Sequence, residues 1–329
     1  MNSILVQNLR YKLERRLARF QSIDSRETFF FKLAQFWHFF DHQPIFAGLA
    51  QSLLIRFPNI HDDVDLIFRG GFVWGQTDEH AAAIGYGVLR RWLESGVEAE
   101  HQLSFGVHSA AHNPPTIEGI TKLFLEPFCD YIYEQLDDQS IALALLMRYK
   151  HRSEWFHRTY LWELAQSESR RAESLLALDL YSYLYDQGID FHIEPSSLTG
   201  EVDLIGTQSS DDPLLADAKI FDADSRSKTY IRKAFRQIYT YTQQYNEPFG
   251  YLMIFKMTDK DLRFSLSVPS RNIPVVFYNH KAIFLITIDI YLNPKPVSQR
   301  DPLRVVEITE EELIRPVEEI GPEQKQVMA

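Results

Sequence analysis

Gly200-Glu201-Val202-Asp203-Leu204-Ile205, followed after a polar interval by Leu214-Leu215-Ala216-Asp217-Ala218-Lys219-Ile220, sets the architecture expected of the C-terminal half. Both runs have the short apolar character of β-strands. The connecting Thr207-Gln208-Ser209-Ser210-Asp211-Asp212-Pro213 reads as a hairpin loop that lays them side by side. Side chains alternate along a strand, so Asp217 and Lys219 share one face while Ala216, Ala218 and Ile220 share the other, where small residues admit a closely packed helix. Asp203, Asp217 and Lys219 are then expected to converge. Two carboxylates suit a hard divalent cation, and an adjacent ammonium can orient an attacking water. Charges inside an apolar strand are costly unless paired or bound to a metal, so the plain alternative is a structural Asp217–Lys219 ion pair.

Working outward, a helix is expected from Glu168 to Tyr185, stopped at Gly188. Strands are expected at Ile189–Glu194, Glu201–Gly206 and Leu214–Phe221. A long helix over Ser227–Tyr245 comes next, then strand-like Phe249–Met257, Leu262–Val268 and Pro274–Leu292. This αβββαβ order, with further strands, predicts an α/β domain. In the long helix Ile231, Ala234, Phe235, Ile238, Thr242 and Tyr245 form the buried stripe. Gln237 and Tyr241 lie together on its edge, one turn apart, where they either reach the site or cap the core. Arg226, Lys228, Arg232, Lys233 and Arg236 give this helical region five bases and no acid. Arg232, Lys233 and Arg236 read either as a solvated face or as a phosphate-tracking stripe. In the preceding helix, Glu173 and Asp179 fall about 60° to either side of Leu176.

Asp203 on one strand with Asp217-Ala218-Lys219 on the next, and then Gln237-x-x-x-Tyr241 on a helix, resembles the PD-(D/E)xK or restriction-endonuclease-like nuclease superfamily, with a RecB-like Gln-x-x-x-Tyr motif. The resemblance covers roughly residues 166–295; Val202 stands where the literal motif has proline. It implies a mixed sheet flanked by helices. It also implies a Mg²⁺- or Mn²⁺-dependent endonuclease or deoxyribonuclease, acting on DNA more readily than RNA, in restriction, repair or defence against foreign DNA. Asp203 and Asp217 would hold the metal with the Ala218 carbonyl, and Lys219 would position water or steady the charged transition state. A helix carboxylate, Glu173 in preference to Asp179, would complete the set. Gln237 and Tyr241 would support it, and Arg232, Lys233 and Arg236 would contact nucleic acid.

The 329 residues allow two domains. We expect a helical N-terminal domain over residues 1–165, the nuclease-like domain over 166–300, and an acidic, partly mobile tail over 301–329. The single cysteine, Cys129, excludes an intrachain disulfide and fits a reducing, cytoplasmic compartment. No apolar run is long enough to span a bilayer, so no membrane partner is expected. The net charge of −11 leaves nucleic-acid binding open, because phosphate contact depends on local charge. The start of the chain reads as an amphipathic helix with Leu5, Leu9, Leu13, Leu17 and Phe20 on one stripe. Further helices are expected over Phe29–Phe40, Gly48–Arg56, Ala81–Leu93, Thr116–Leu136 and Ile141–Trp162.

His61-Asp62-Asp63 reads as a helix N-cap cluster, and His101, His108 and His112 as surface or core histidines. Gly70-Gly71 and the Gly85/Gly87 pair lack phosphate-loop spacing. Arg148, Lys150, His151, Arg152 and Arg158 flank Trp155 and Phe156, a combination able to bind nucleic acid by charge and stacking. Helical spacing instead assigns Trp155, Phe156 and Trp162 to the core. Two rival readings of the whole chain stand beside the nuclease. One is a catalytically silent nucleic-acid-binding protein. The other is a sensor or interaction protein with an activating protein partner or a homo-oligomer as its trigger.

Overall fold

The computed structural model describes residues 4–20, 23, 25–71, 73–95, 117–188, 191–195, 202–207, 213–267, 273–294, 302 and 304–315. The chain divides into two compact units, residues 1–144 and 145–329.

The first unit is helical: α1 (Ile4–Leu17), α2 (Arg26–Asp41), α3 (Pro44–Arg56), α4 (Ile60–Phe68), α5 (Asp78–Ser95) and α6 (Ile117–Ile120). A π-helical turn, Thr121–Leu125, follows and leads into α7 (Glu126–Trp155). Leu9, Leu13 and Phe20 of the expected stripe are buried. The core is aromatic: Phe40 stacks on Phe46 with centroids 5.0 Å apart, and Trp37 meets Phe40 edge-on at 5.4 Å. Arg90, paired with Asp41, lies 3.9 Å over the Trp37 ring, which satisfies its charge next to an apolar interior. Gly85 is required by close approach, since a Cβ there would come within 2.1 Å of the Phe124 carbonyl oxygen in the π turn.

The second unit opens with the end of α7, then α8 (Arg158–Ser167) and α9 (Ala172–Asp186). Next come β1 (Phe191–Pro195), β2 (Val202–Thr207) and β3 (Pro213–Phe221), followed by α10 (Lys228–Gln244). β4 (Phe249–Lys256), β5 (Asp261–Ser265), β6 (Val275–Tyr278), β7 (Lys281–Asp289), β8 (Val305–Thr309) and α11 (Glu310–Ile314) complete it. Six strands form one mixed sheet in the order β1-β2-β3-β4-β7-β6. β1/β2, β2/β3 and β6/β7 are antiparallel, while β3/β4 and β4/β7 are parallel. A parallel pair needs a crossover, which α10 supplies between β3 and β4. Its Ile231, Ala234, Phe235 and Ile238 join Leu215, Phe221, Leu252, Ile254 and Ile283 in one buried cluster. Gly250 lets the helix sit down on β4, because a Cβ there would press on Thr242, Ile283 and Ile238 at 2.9–3.1 Å. The expected helical N-terminal region and C-terminal mixed sheet with flanking helices are therefore both present.

Three expectations change, and the C-terminal segment adds a strand and a short helix to the second unit. The segments Thr116–Leu136 and Ile141–Trp162 are not two helices divided near residue 138, because α7 runs unbroken to Trp155 and the chain turns only at Phe156-His157. The strand-like run Pro274–Leu292 is split by Asn279 and His280, both with positive φ (44° and 62°), the signature of a type I′ hairpin turn. Within the acidic tail, β8 pairs in parallel with β5, and Ile308 and Leu313 are fully buried in the α10 cluster. Finally, Trp155 and Phe156 are 73% and 77% exposed rather than core. The buried face of α7 ends on Leu146, Tyr149 and Ser153. Trp155 lies about 200° around the helix from Ser153, and Phe156 follows the last helical residue. Only Trp162 turns inward, edge-on to Tyr291 at 5.5 Å.

α11 is held by Glu312. Its side chain accepts from the Thr309 backbone N–H in a capping box and pairs with Lys228 at 2.7 Å. The Lys228 ammonium first, then the Thr309 N–H, depress its carboxyl to about 2. A depressed carboxyl stabilises the fold above its ordinary range and loses that contribution as pH falls through the folded value. The Ile308 and Leu313 methyl resonances should therefore hold from pH 7 to about 4.5 and move toward free-chain positions between about 4.5 and 2. Glu312→Gln should loosen them already at pH 7. The free energy involved is under about 1 kcal/mol, because the pair is solvent-screened.

Candidate functional site

The geometry that matters lies where β2 and β3 part. Their antiparallel ladder pairs Thr207 with Pro213 and ends at Leu204 with Ala216. β2 continues through Asp203 and Val202, which among the described residues pair with Glu194 and Pro195 of β1. One further step of the β2/β3 register would set Asp203 across from Asp217, and residues directly opposite in an antiparallel pair share a face. The side chain of Asp203 lies outside the described ones.

Beyond Ala216, β3 keeps β4 on one side, with Asp217 opposite Leu252 and Lys219 opposite Ile254. Asp217 and Lys219 do share a face, and Lys219 Nζ lies 3.1 Å from Asp217 Oδ1. The pair is deeply set, its side chains 2% and 8% exposed. At this depth opposite charges attract strongly, but each also gives up its hydration, so the pair is built to hold a position more than to add stability.

On the side that β2 has vacated, the Ile220 N–H finds its acceptor in Glu173, from the first turn of α9. Glu173 Oε1 accepts this bond at 2.8 Å, and Oε2 accepts the Tyr230 hydroxyl at 2.6 Å. Arg226 Nε lies 3.5 Å from Oε1. Burial raises the Tyr230 phenol most, and the hydrogen bond to Glu173 and the charges of Glu173 and Asp217 push it further. Tyr230 is thus fixed as a protonated donor within electrostatic reach of both acids. Asp179, the competing helix carboxylate, faces elsewhere. It accepts from Tyr149 at 2.9 Å and lies 3.5 Å from Arg152.

α10 runs along the same region. Gln237 Nε2 donates to Tyr241 Oη at 3.0 Å, and Tyr241 also packs on the buried cluster. Gln237 and Tyr241 follow Tyr230 by seven and eleven residues, so at 100° per residue all three fall within about 20° of one azimuth. Tyr230 and Arg226 are the residues the motif reading did not assign to the site. A helical wheel run back seven residues from Gln237 finds Tyr230. Of the basic residues, Arg232 Nε donates to the Glu312 carbonyl, while Lys233 and Arg236 are exposed.

The described donors are oxygens from carboxylates, the kind that suit Mg²⁺ or Mn²⁺. Among the described residues no three acids, histidines or cysteines gather at one point, so a full set at this edge needs Asp203. Elsewhere, Asp63 pairs with His80 at 3.0 Å across α4 and α5. His101, His108 and His112 lie outside the described residues. No helix among the described residues is long and apolar enough to cross a membrane. No family model, curated protein or solved structure matches this chain.

Proposed function

We propose that the second unit is a metal-dependent nuclease that hydrolyses phosphodiester bonds, DNA in preference to RNA. The observation that supports the reading is the end of the β2/β3 ladder at Leu204 and Ala216, one step before the register would set Asp203 opposite Asp217, with the Asp217–Lys219 pair and the Glu173 bond to Ile220 just beyond it on β3. Asp203, Asp217 and Glu173 would hold Mg²⁺ or Mn²⁺, which supplies Lewis-acid activation of water and charge neutralisation at the phosphate. Lys219 would yield Asp217 to such a cation, leaving its ammonium to orient water or offset negative charge on the phosphate. Tyr230 and the Ile220 N–H keep the Glu173 carboxylate aimed. Gln237 and Tyr241 support the site from α10, and the exposed Lys233 and Arg236 lie on that helix for backbone phosphates. Restriction, repair or defence in the cytoplasm is the biological setting this chemistry suits.

A second reading is favoured by the closed Asp217–Lys219 pair and its depth. In that reading the domain binds without cutting, or waits for a protein partner that opens the pair. The deciding measurement is cleavage of supercoiled plasmid, single-stranded DNA and RNA by the purified chain with Mg²⁺, Mn²⁺ or a chelator. The nuclease reading expects metal-dependent cleavage that the chelator stops and Asp203→Asn removes. Absence of metal-dependent cleavage on all three substrates would hand the case to the second reading.

A further inference from the structure

Trp155, Phe156 and Tyr160 stand out in the second unit as large rings turned to solvent at one helix junction, 73%, 77% and 51% exposed. An imidazole lies against the rings on each side of the junction. The His151 ring lies 5.9 Å from Trp155 and 6.0 Å from Phe156, and His157 lies 6.1 Å from Tyr160. Exposing this much aromatic surface costs solubility unless something uses it. The local charge says what. From Arg148 to Trp162 the sequence carries Arg148, Lys150, Arg152 and Arg158 against Glu154 alone, a net of +3 (4 − 1) in a chain of net −11. Glu154 is also occupied: it pairs with Lys150 and accepts the Asp289 backbone N–H at 2.9 Å.

We propose that this junction is a stacking platform for an unpaired DNA strand, separate from the β2/β3 edge. Trp155, Phe156 and Tyr160 take the base faces, and the exposed Arg148 with Arg158 takes the phosphates, since Lys150 and Arg152 are engaged by Glu154 and Asp179. Ring-on-base stacking with adjacent positive charge is how single strands are held without regard to sequence. A duplex buries its base faces in its own stack and has none to offer. The Glu154 carboxylate is taken up by Lys150 and the Asp289 N–H, which lowers its repulsion of a phosphate. The choice of DNA over RNA rests on the substrate of the proposed nuclease.

The test uses the full-length protein in chelator, so that strand cleavage plays no part, with a labelled dT 15-mer read by fluorescence polarisation. Trp155→Ala with Phe156→Ala should weaken binding at least about tenfold, given the contribution of one stacked base. Trp155→Phe keeps a stacking ring. It should hold affinity within about threefold while removing the quenching of intrinsic fluorescence that a base on Trp155 produces. No binding of the 15-mer, unchanged affinity in the double variant, or tighter binding of the matched RNA would each overturn the proposal. So would a fall from dimer to monomer in sedimentation on Trp155→Ala, which would make the patch a self-association face. Metal-dependent cleavage of plasmid by the same double variant is read separately, so the platform and the nuclease site can fail independently.

Discussion

Lys219→Met is expected to destabilise the second unit by about 3 kcal/mol and to remove metal-dependent cleavage. The substitution leaves Asp217 charged at 2% exposure without the ammonium that now lies 3.1 Å away. Breaking one side of a buried pair costs far more than replacing both sides. Asp217→Leu combined with Lys219→Met should therefore recover most of the lost stability and none of the activity. Urea unfolding followed by circular dichroism gives the first quantity, and plasmid cleavage with Mn²⁺ the second. The two readouts separate the roles of the pair. A structural pair would lose stability in the single variant and keep its turnover wherever the protein stays folded. Full stability and full activity in Lys219→Met would sink both assignments.

Glu173→Ala should cost about 3 kcal/mol, because it strips the acceptor from two donors at once, the Ile220 N–H and the Tyr230 hydroxyl. Glu173→Gln is the informative partner. Its amide oxygen can still accept from Ile220, and its amide nitrogen can donate to the Tyr230 oxygen, so the β3 edge stays closed and stability returns to within about 1 kcal/mol. Its charge is gone. If Glu173 helps hold a cation, Glu173→Gln should be stable yet need far more Mn²⁺ to cleave, measured as a metal titration of rate. If it only caps the strand edge, Glu173→Gln should match the parent at every metal concentration.

The sequence made the central part of this arrangement legible because its signals are local. Alternation puts Asp217 and Lys219 on one face, small Ala216 and Ala218 mark the other, and the short polar interval before Pro213 predicts the antiparallel β2/β3 pair that forms. The α-β-β-β-α-β order follows from the change of period after Gly188. What stayed hidden depends on non-local contacts or on exact azimuth. Nothing near Asp261 announces that its strand partner is Val305. Tyr230 reads as an ordinary first-turn aromatic until α9 brings Glu173 to it from 57 residues away. Trp155 and Trp162 look equivalent as aromatics in a helical run. The break at Phe156-His157 sends one to solvent and the other onto Tyr291. The turn at Asn279-His280 lacks the glycine that usually gives such turns away, so its signal is asparagine alone.

The pairing of β5 with β8 carries a consequence for how the protein is made. Leu262 and Phe264 belong to a strand whose neighbour lies 44 residues downstream, from Asp261 to Val305. Ile308 and Leu313, which complete the apolar floor beneath α10, come later still. At roughly 5–20 residues per second on the ribosome, the emerging unit spends about 2–9 s with that floor open and one strand edge unpaired. A bare edge of this kind recruits other edges. During those seconds the nascent chain is a natural client for a chaperone, and a message truncated before Val305 would yield a protein that stays in that vulnerable state.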